Sequence, residues 1–410
     1  MCFSTVKTTE VLGNIQMLNA HISDEVRSFL KGFIERILEE EFKLYIGRDR
    51  YQRRKPKEIR IYRNGYRVRY YLTIWSQVLK LKVPRSRSSN FKPLLFRKGG
   101  MTSEQLDHMM IQMWSEGSSY RDIINIVNRI YGQNFSLAKL NSMIRALHEY
   151  VEQYHNKPIE KAYDCIYIDG LELTIKEFPR KTFVDLKTKK AKNAVMLGVL
   201  GQRKEKNKII REMIDYELCQ QEDSTNYIRL LERLKRRGLT VDKFRLAVHD
   251  GHMAITKAIK TVYNKENVIQ QECLIHHMRN VINKIQNRTN KDQLKNDLWK
   301  VYSAVSEKEF LKLHKKTFQK WYDLEKEAME QFGKLNSRMF SKYQFNVEIH
   351  KDIHSNNPIE RYFREIRRRT KAIGIFESLS SADRLLFLTI ENINQRRGSI
   401  PTNSNLVFTH

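Results

Sequence analysis

The sequence is poor in residues that staple, break or span. Its four cysteines, Cys2, Cys165, Cys219 and Cys273, are too few and too scattered for a disulfide framework, and no C-x-x-C pair marks a zinc ribbon. That usage fits a reducing compartment. Seven prolines and 16 glycines in 410 residues exclude collagen-like and low-complexity chains, and no internal repeat stands out. No run approaches the roughly 18 apolar residues that span a bilayer; the most apolar stretch, Ala194 to Gly201, reads as a buried strand. A basic segment followed by a continuous apolar one is missing from the N-terminus, so no secretory signal is expected. These absences predict a cytoplasmic protein with no membrane partner. Scarcest of all is negative charge. Against 75 Lys and Arg stand 47 Asp and Glu, a formal charge of +28 and a pI near 9.8. Solubility needs far less, so a polyanionic partner is expected, nucleic acid ahead of an anionic membrane surface. With 40% apolar residues and a length beyond one ordinary domain, a multi-domain folded frame carries that charge.

Half of the excess lies between residues 51 and 100, where 15 Lys and Arg accompany one acid, Glu58. Asn64-Gly65 separates Ile59 to Arg63 from Tyr66 to Trp75 and is a strong hairpin signal. Val68, Tyr70, Leu72 and Ile74 alternate with Arg67, Arg69, Tyr71 and Thr73; Leu79, Leu81 and Val83 alternate with Lys80 and Lys82. The pattern predicts a small twisted antiparallel sheet with one apolar and one basic face. Arg63, Arg67, Arg69, Lys80, Lys82, Arg85 and Arg87 are its candidate phosphate contacts, the alternative being a solvated face.

From Thr102 the period becomes helical. Ser103 to Trp114, Tyr120 to Tyr131 and Leu137 to His148 read as three helices, broken at Glu116 to Ser119 and at Gly132-Gln133-Asn134, with Ser119 and Ser136 as N-caps. The spacing is compatible with a helix-turn-helix module offering Lys139, Asn141 and Arg145 to DNA, or with an ordinary trihelical unit. A mild boundary falls at Glu152 to Lys161. Strands then follow at Cys165 to Ile175, Asn193 to Gln202 and Lys208 to Tyr216, with a helix at Thr225 to Arg236 and a strand at Phe244 to His249. A helix at Met253 to Tyr263 and a strand at Val268 to Ile275 complete the run. This order is that of the ribonuclease H-like fold, although other α/β folds share parts of it. After Met278 the pattern is purely helical to about Lys342, an insertion before the core resumes at His354 to Gly374.

Three acids stand out. Asp169 lies in Ile166 to Gly170, where apolar residues face both ways, so its carboxylate needs a metal, a cation or hydrogen bonds. Asp250 ends Leu246 to His249 at the carboxyl edge where α/β sites sit. Glu360 follows Asn357, a candidate N-cap, and Pro358 at the first helical position, and heads a basic stripe with Arg364, Arg367 and Lys371. Two strand aspartates and a helix glutamate can hold two divalent cations for in-line phosphoryl transfer, and hard oxygen donors point to Mg²⁺ or Mn²⁺. Each acid has a plainer reading, as strand-end turn, helix cap or i,i+4 ladder respectively. Cys273 and His276 form a C-x-x-H pair without a second pair, which favours packing or site support over zinc.

Taken in order, Arg63-Asn64-Gly65, Val83-Pro84-Arg85-Ser86-Arg87, Glu116 to Ile123, Asp169-Gly170, Glu222-Asp223-Ser224, Asp250-Gly251-His252, Gln271 to Asn280 and Asn357-Pro358-Ile359-Glu360 resemble the mutator-type DDE transposases of prokaryotic insertion sequences. The likeness runs from about Ser28 to Gly374. It implies catalytic, metal-holding roles for Asp169, Asp250 and Glu360, with two Mg²⁺ or Mn²⁺ ions, and site support from Cys273, His276, Asn357 and His252. It also implies DNA contacts for Trp321 in the insertion and for Arg364, Arg367, Arg368 and Lys371. Ala254 and Ser355-Asn356 depart from the family's usual residues but touch no carboxylate.

The expected layout is an N-terminal helical segment (1–50), a basic sheet (51–100), a helix-turn-helix-like module (101–155), an α/β ribonuclease H-like core (160–277 and 350–410) and an all-helical insertion (278–345). The expected function is an enzyme, nucleoid-associated, that binds double-stranded terminal inverted repeats and target DNA as a homodimer or larger assembly. It would hydrolyse phosphodiester bonds and join the freed 3′-OH to the target. A catalytically inactive or domesticated DNA-binding protein and a non-mobile ribonuclease H-like nuclease are the alternatives.

Overall fold

A computed structural model of the chain describes residues 8–53, 61–73, 76–87, 91–99, 102–131, 135–175, 192–206, 208–263, 268–345, 353–376 and 378–398. They fall into two compact units, one ending at Arg145 and one beginning at Ala146.

The N-terminal unit opens with a 39-residue helix, α1 (Thr8–Ile46). Leu30, Ile34, Leu38, Phe42 and Ile46 recur every fourth residue on α1, and the first three pack on Tyr71, Leu79, Leu81 and Val83 of a two-stranded antiparallel sheet. The strands are β1 (Arg63–Thr73) and β2 (Ser76–Ser86). Two expectations fail here. Asn64-Gly65 is not the hairpin turn. It lies inside β1 at a register shift, Gly65 having φ +63°, and Thr73 pairs with Ser76 across the connection. Ile74 and Trp75, like Ile59, Arg60 and Gly132-Gln133-Asn134, lie outside the described residues.

The faces of β1 are also inverted. Arg67, Arg69 and Tyr71 pair with Val83, Leu81 and Leu79 and so share the face that packs on α1, while Val68 and Tyr70 pair with Lys82 and Lys80 on the open face. Directly opposed residues of an antiparallel pair point the same way, and arginine stems can line an apolar face. Arg69 lies over the Phe96 ring at 4.9 Å. Three helices follow, α2 (Glu104–Ser115), α3 (Tyr120–Tyr131) and α4 (Leu137–Ala146). Ser119 caps α3 as expected, its Oγ accepting the Asp122 N–H at 3.2 Å.

The C-terminal unit begins with α5 (His148–Asn156), so the division falls before the expected 152–161 boundary. Tyr154 of α5 donates to the Met213 carbonyl at 2.9 Å and holds the helix on the sheet. That sheet has five strands: β3 (Cys165–Ile175), β4 (Lys192–Glu205), β5 (Lys208–Cys219), β6 (Leu246–His249) and β7 (Ile269–Glu272). Their spatial order is β5-β4-β3-β6-β7, with β3, β4 and β5 antiparallel and β6 and β7 parallel to β3. Helices α6 (Ser224–Arg236) and α7 (Met253–Val262) pack on one face through Tyr227, Leu230, Leu234, Ile255 and Ile259.

The last strand is shorter than the sequence predicts. Cys273 donates its N–H to the His249 carbonyl and then opens α8 (Leu274–Ile282), so Leu274 and Ile275 are helical. The insertion is helical throughout its described residues: after α8 come α9 (Lys291–Tyr302), α10 (Glu307–Trp321) and α11 (Lys326–Phe332), around a core of Leu298, Tyr302, Phe310, Trp321 and Phe332. Two long helices close the unit, α12 (Asn357–Ile373) and α13 (Leu379–Arg396). No described helix is long and apolar enough to cross a membrane.

Candidate active site

Asp169 sits mid-strand on β3, and Asp250 follows the last residue of β6. Ile166 pairs with Ala247 and Tyr167 with Val248; two more steps along that register bring Asp169 level with Asp250, just past the end of β6. Asp250 Oδ1 accepts the His252 N–H at 2.8 Å, so this carboxylate also turns the chain into α7. His252 occupies the cap position of α7, exposed and without a side-chain cap. Beneath Asp250 lies His249, fully buried. Its Nδ1 accepts the Gly251 N–H at 3.1 Å, and burial pushes the imidazole down to about 4, keeping it neutral.

A fourth carboxylate joins them. Glu222, just before α6, is held by the Tyr227 hydroxyl at 2.6 Å, and a Cβ on Gly170 would meet Glu222 Oε2 at 2.9 Å. Glycine at 170 therefore lets Glu222 lie against the strand beside Asp169. Burial, then the charge of Asp250, and then those of Glu222 and Glu360 push the Asp169 carboxyl up to about 8, against the opposing Gly170 N–H at 2.9 Å.

Glu360 comes from the first turn of α12. The cap is Asn356, one residue earlier than expected, so Asn357 is the first helical residue and Pro358 the second. Asn356 is fully buried; its N–H donates to Cys273 Sγ at 3.1 Å and its Nδ2 reaches the Ile168 carbonyl at 3.4 Å. Burial pushes the Cys273 thiol up to about 11; its sulfur ties the start of α8 to the start of α12, and Asn356 carries the tie on to β3. Glu360 itself is taken by Arg279 of α8, at 3.1 and 3.3 Å, and by His276 Nε2 at 3.3 Å. Asp169, Gly170, His276, Arg279, Glu360, Phe363, Arg364 and Arg367 line one cleft of about 290 Å³. Among the described residues no three His, Cys, Asp or Glu side chains stand close enough together to hold a metal ion. The donors facing this cleft are nonetheless hard carboxylate oxygens, crowded enough to hold a proton on Asp169, which is the chemistry a small divalent cation relieves.

The chain matches the model of the family described as "Transposase, Mutator family" over residues 1–397. The chain belongs to that family. It is 26% identical over 94% of its length to the transposase of insertion sequence element IS905 from Lactococcus lactis, covering 93% of that protein. It is likewise 26% identical over 93% of its length to the transposase of IS256 in transposon Tn4001 from Staphylococcus aureus, again covering 93% of that protein. Among solved structures it is similar to the Drosophila P element transposase strand transfer complex, with 11% identity, a TM-score of 0.30 and coverage of 76% of this chain and 96% of that one.

The expected DNA contacts divide by exposure. Lys80, Lys82, Arg85, Arg87, Arg145, Arg364, Arg367, Arg368 and Lys371 are exposed, and Lys139 is half-buried. Arg63 is engaged by Glu39 and lies over Phe42 at 5.0 Å, so together with Arg67 and Arg69 it faces α1. Trp321 is 2% exposed, with Nε1 donating to Asp297 at 3.0 Å; a ring so placed anchors the insertion and has no face free for a base. Trp321→Ala is expected to lower stability by about 3–5 kcal/mol in urea unfolding. A fall in DNA affinity at unchanged stability would return the residue to a DNA-handling role. Glu222, Tyr227, Arg279 and Asn356 were missing from the expected site. Glu222 and Arg279 fall within quoted motifs, but only the folded chain brings them to the carboxylates.

Proposed function

We propose that this Mutator-family chain is a DNA transposase that binds the terminal inverted repeats of its element, hydrolyses a phosphodiester at each end and joins the 3′-OH to target DNA. Asp169, Asp250 and Glu360 are its catalytic residues. The observation that carries the reading is the parallel register of β3 with β6, which brings Asp250, just past the end of β6, level with Asp169, with Glu360 on the same cleft as Asp169 at the head of a basic helix. The strand order β5-β4-β3-β6-β7 fits a ribonuclease H-like core, and α2–α4 fit a helix-turn-helix reader.

Two Mg²⁺ or Mn²⁺ ions held by the three acids would activate the attacking oxygen and stabilise the leaving one. The chain's own residues supply the rest. Asp169 would ionise with a cation beside it, its proton passing to water, Arg364 and Arg367 hold the strand's phosphates along the cleft, and Asn356 fixes the start of α12 against β3 so that Glu360 enters at a set height. Arg279 is the counter-ion of Glu360 and would yield that carboxylate to a cation. Two element ends call for at least two protomers on DNA, in a cytoplasmic, nucleoid-associated complex.

The test is Mg²⁺-dependent cleavage of an inverted-repeat duplex by wild type, Asp250→Ala and Glu360→Ala. Loss of cleavage with retained binding in both variants supports the reading. Undiminished cleavage by either removes that acid from the site, and wild-type binding without cleavage points to a DNA-binding protein. Replacing Lys80 and Lys82 together by Ala is expected to weaken binding uniformly across sequences and to reduce the salt slope, log K against log[salt], by about 2. An unchanged slope would remove both residues from the interface.

A further inference from the structure

Helix α1 carries a second apolar stripe that the described residues of its own unit leave exposed. Ile22, Val26, Phe29, Phe33, Ile37 and Leu44 are exposed, Phe29 by 65% and Leu44 by 82%. At 100° per residue they lie well round the helix from the Leu30–Ile46 row that packs on the hairpin. Phe29 and Phe33 stack on each other at 6.2 Å. The stripe is ~33 Å long and exposes on the order of 700 Å² of apolar surface, above the largest patch of a typical monomer and near one partner's share of a standard interface.

We propose that this stripe is a homodimer interface in which the α1 helices of two copies pack antiparallel. Three features select a second copy as the occupant. The stripe is long and borne on a single helix, which suits another helix better than a globular surface. Its area approaches what a stable dimer buries. Its border charges are self-complementary: Glu25 and Arg36 flank the same edge, both exposed, and an antiparallel crossing centred near residue 31 sets Glu25 of each copy against Arg36 of the other while Phe29 meets Phe33. A parallel pairing would leave each of these charges level with its own like. The proposal gives the two-protomer requirement of the transposase reading a surface, but it makes no use of the carboxylate cleft.

The experiment is therefore run on the full chain without DNA or metal. Sedimentation velocity of wild type at micromolar concentration is expected to show a dimer, and Phe29→Glu with Phe33→Glu a monomer of unchanged helicity and melting temperature. A monomeric wild type overturns the proposal and leaves the stripe to a different partner; a dimeric double variant overturns it too. Should the double variant fail to fold, the charge pair decides. Arg36→Glu is expected to weaken dimerisation at least tenfold and Glu25→Arg in the same chain to restore it. Failure of that rescue overturns the antiparallel pairing. Cleavage measured separately keeps this outcome distinct from the catalytic reading, since Glu25, Phe29, Phe33 and Arg36 lie outside the proposed catalytic machinery.

Discussion

Asp169→Asn is expected to abolish strand cleavage and, in metal-free buffer, to make the protein more stable. The loss in rate should reach at least about a thousandfold, or ~4 kcal/mol of transition-state stabilisation, because the carboxylate is the proposed cation ligand on the central strand. The gain in stability follows from the crowding that pushes the same group up to about 8. An acid raised in the folded state gives its full stabilising contribution below its unfolded value, near 4, and loses it as pH rises towards 8, because the unfolded chain releases a proton that the folded one retains. Metal-free wild type should therefore lose stability across that window, and the amide variant should lose less. Near pH 8 a rise in melting temperature of roughly 3–8 °C is expected, equivalent to a few kcal/mol. An asparagine variant that is inactive and also less stable than wild type would show that Asp169 is satisfied by contacts other than a cation.

A large loss of stability is also expected from Asp215→Ala. This carboxylate is fully buried on β5, with Oδ1 2.6 Å from His155 Nδ1 and Oδ2 2.8 Å from Arg233 Nε and 2.7 Å from Arg237. It fastens α5 and α6 to the sheet. Deleting it leaves two guanidiniums and an imidazolium without their shared anion, and breaking a buried ion pair from one side typically costs about 3–5 kcal/mol. Burial opposes the charge on His155, but the hydrogen bond to Asp215 and the Asp383 carboxylate 3.9 Å away outweigh it and raise the imidazole to about 8. The stability so contributed is complete below about 6.5 and is lost as pH rises through 8. Urea unfolding of wild type should show that decline, and His155→Gln should flatten it. A loss below about 1 kcal/mol in Asp215→Ala would mean that the three cations find water or other partners once the anion is gone.

The core was legible in the sequence where residues are apolar on both faces. Ile166, Ile168, Leu171 and Leu173 mark β3 as central, and an aspartate among them is conspicuous because little else explains it. The hairpin misled twice for physical reasons. Asn64-Gly65 has the conformation of a turn yet serves as a bulge, and Arg67 and Arg69 carry stems long enough to occupy a half-buried face, so alternation assigned β1 to the wrong side. A one-residue change of phase reverses every side chain of a strand. Glu222, Arg279 and Asn356 escaped notice because their positions depend on packing between elements distant in the chain. Arg279 meets Glu360 across 81 residues, and a charged residue on a short helix carries no sign of its partner.

That separation also dates the assembly of the cleft. Strands β3, β4 and β5 pair with near neighbours and can form early, whereas the clasp from Asn356 to Ile168 closes over 188 residues, after the whole insertion has been made. Both aspartates precede the insertion in the chain, and the glutamate follows it. A growing or clipped chain would thus own the sheet and the proposed DNA-binding front without the third acid. On the proposed chemistry, an unfinished copy can occupy an element end but cannot cut it, and the insertion acts as a delay between making the protein and arming it.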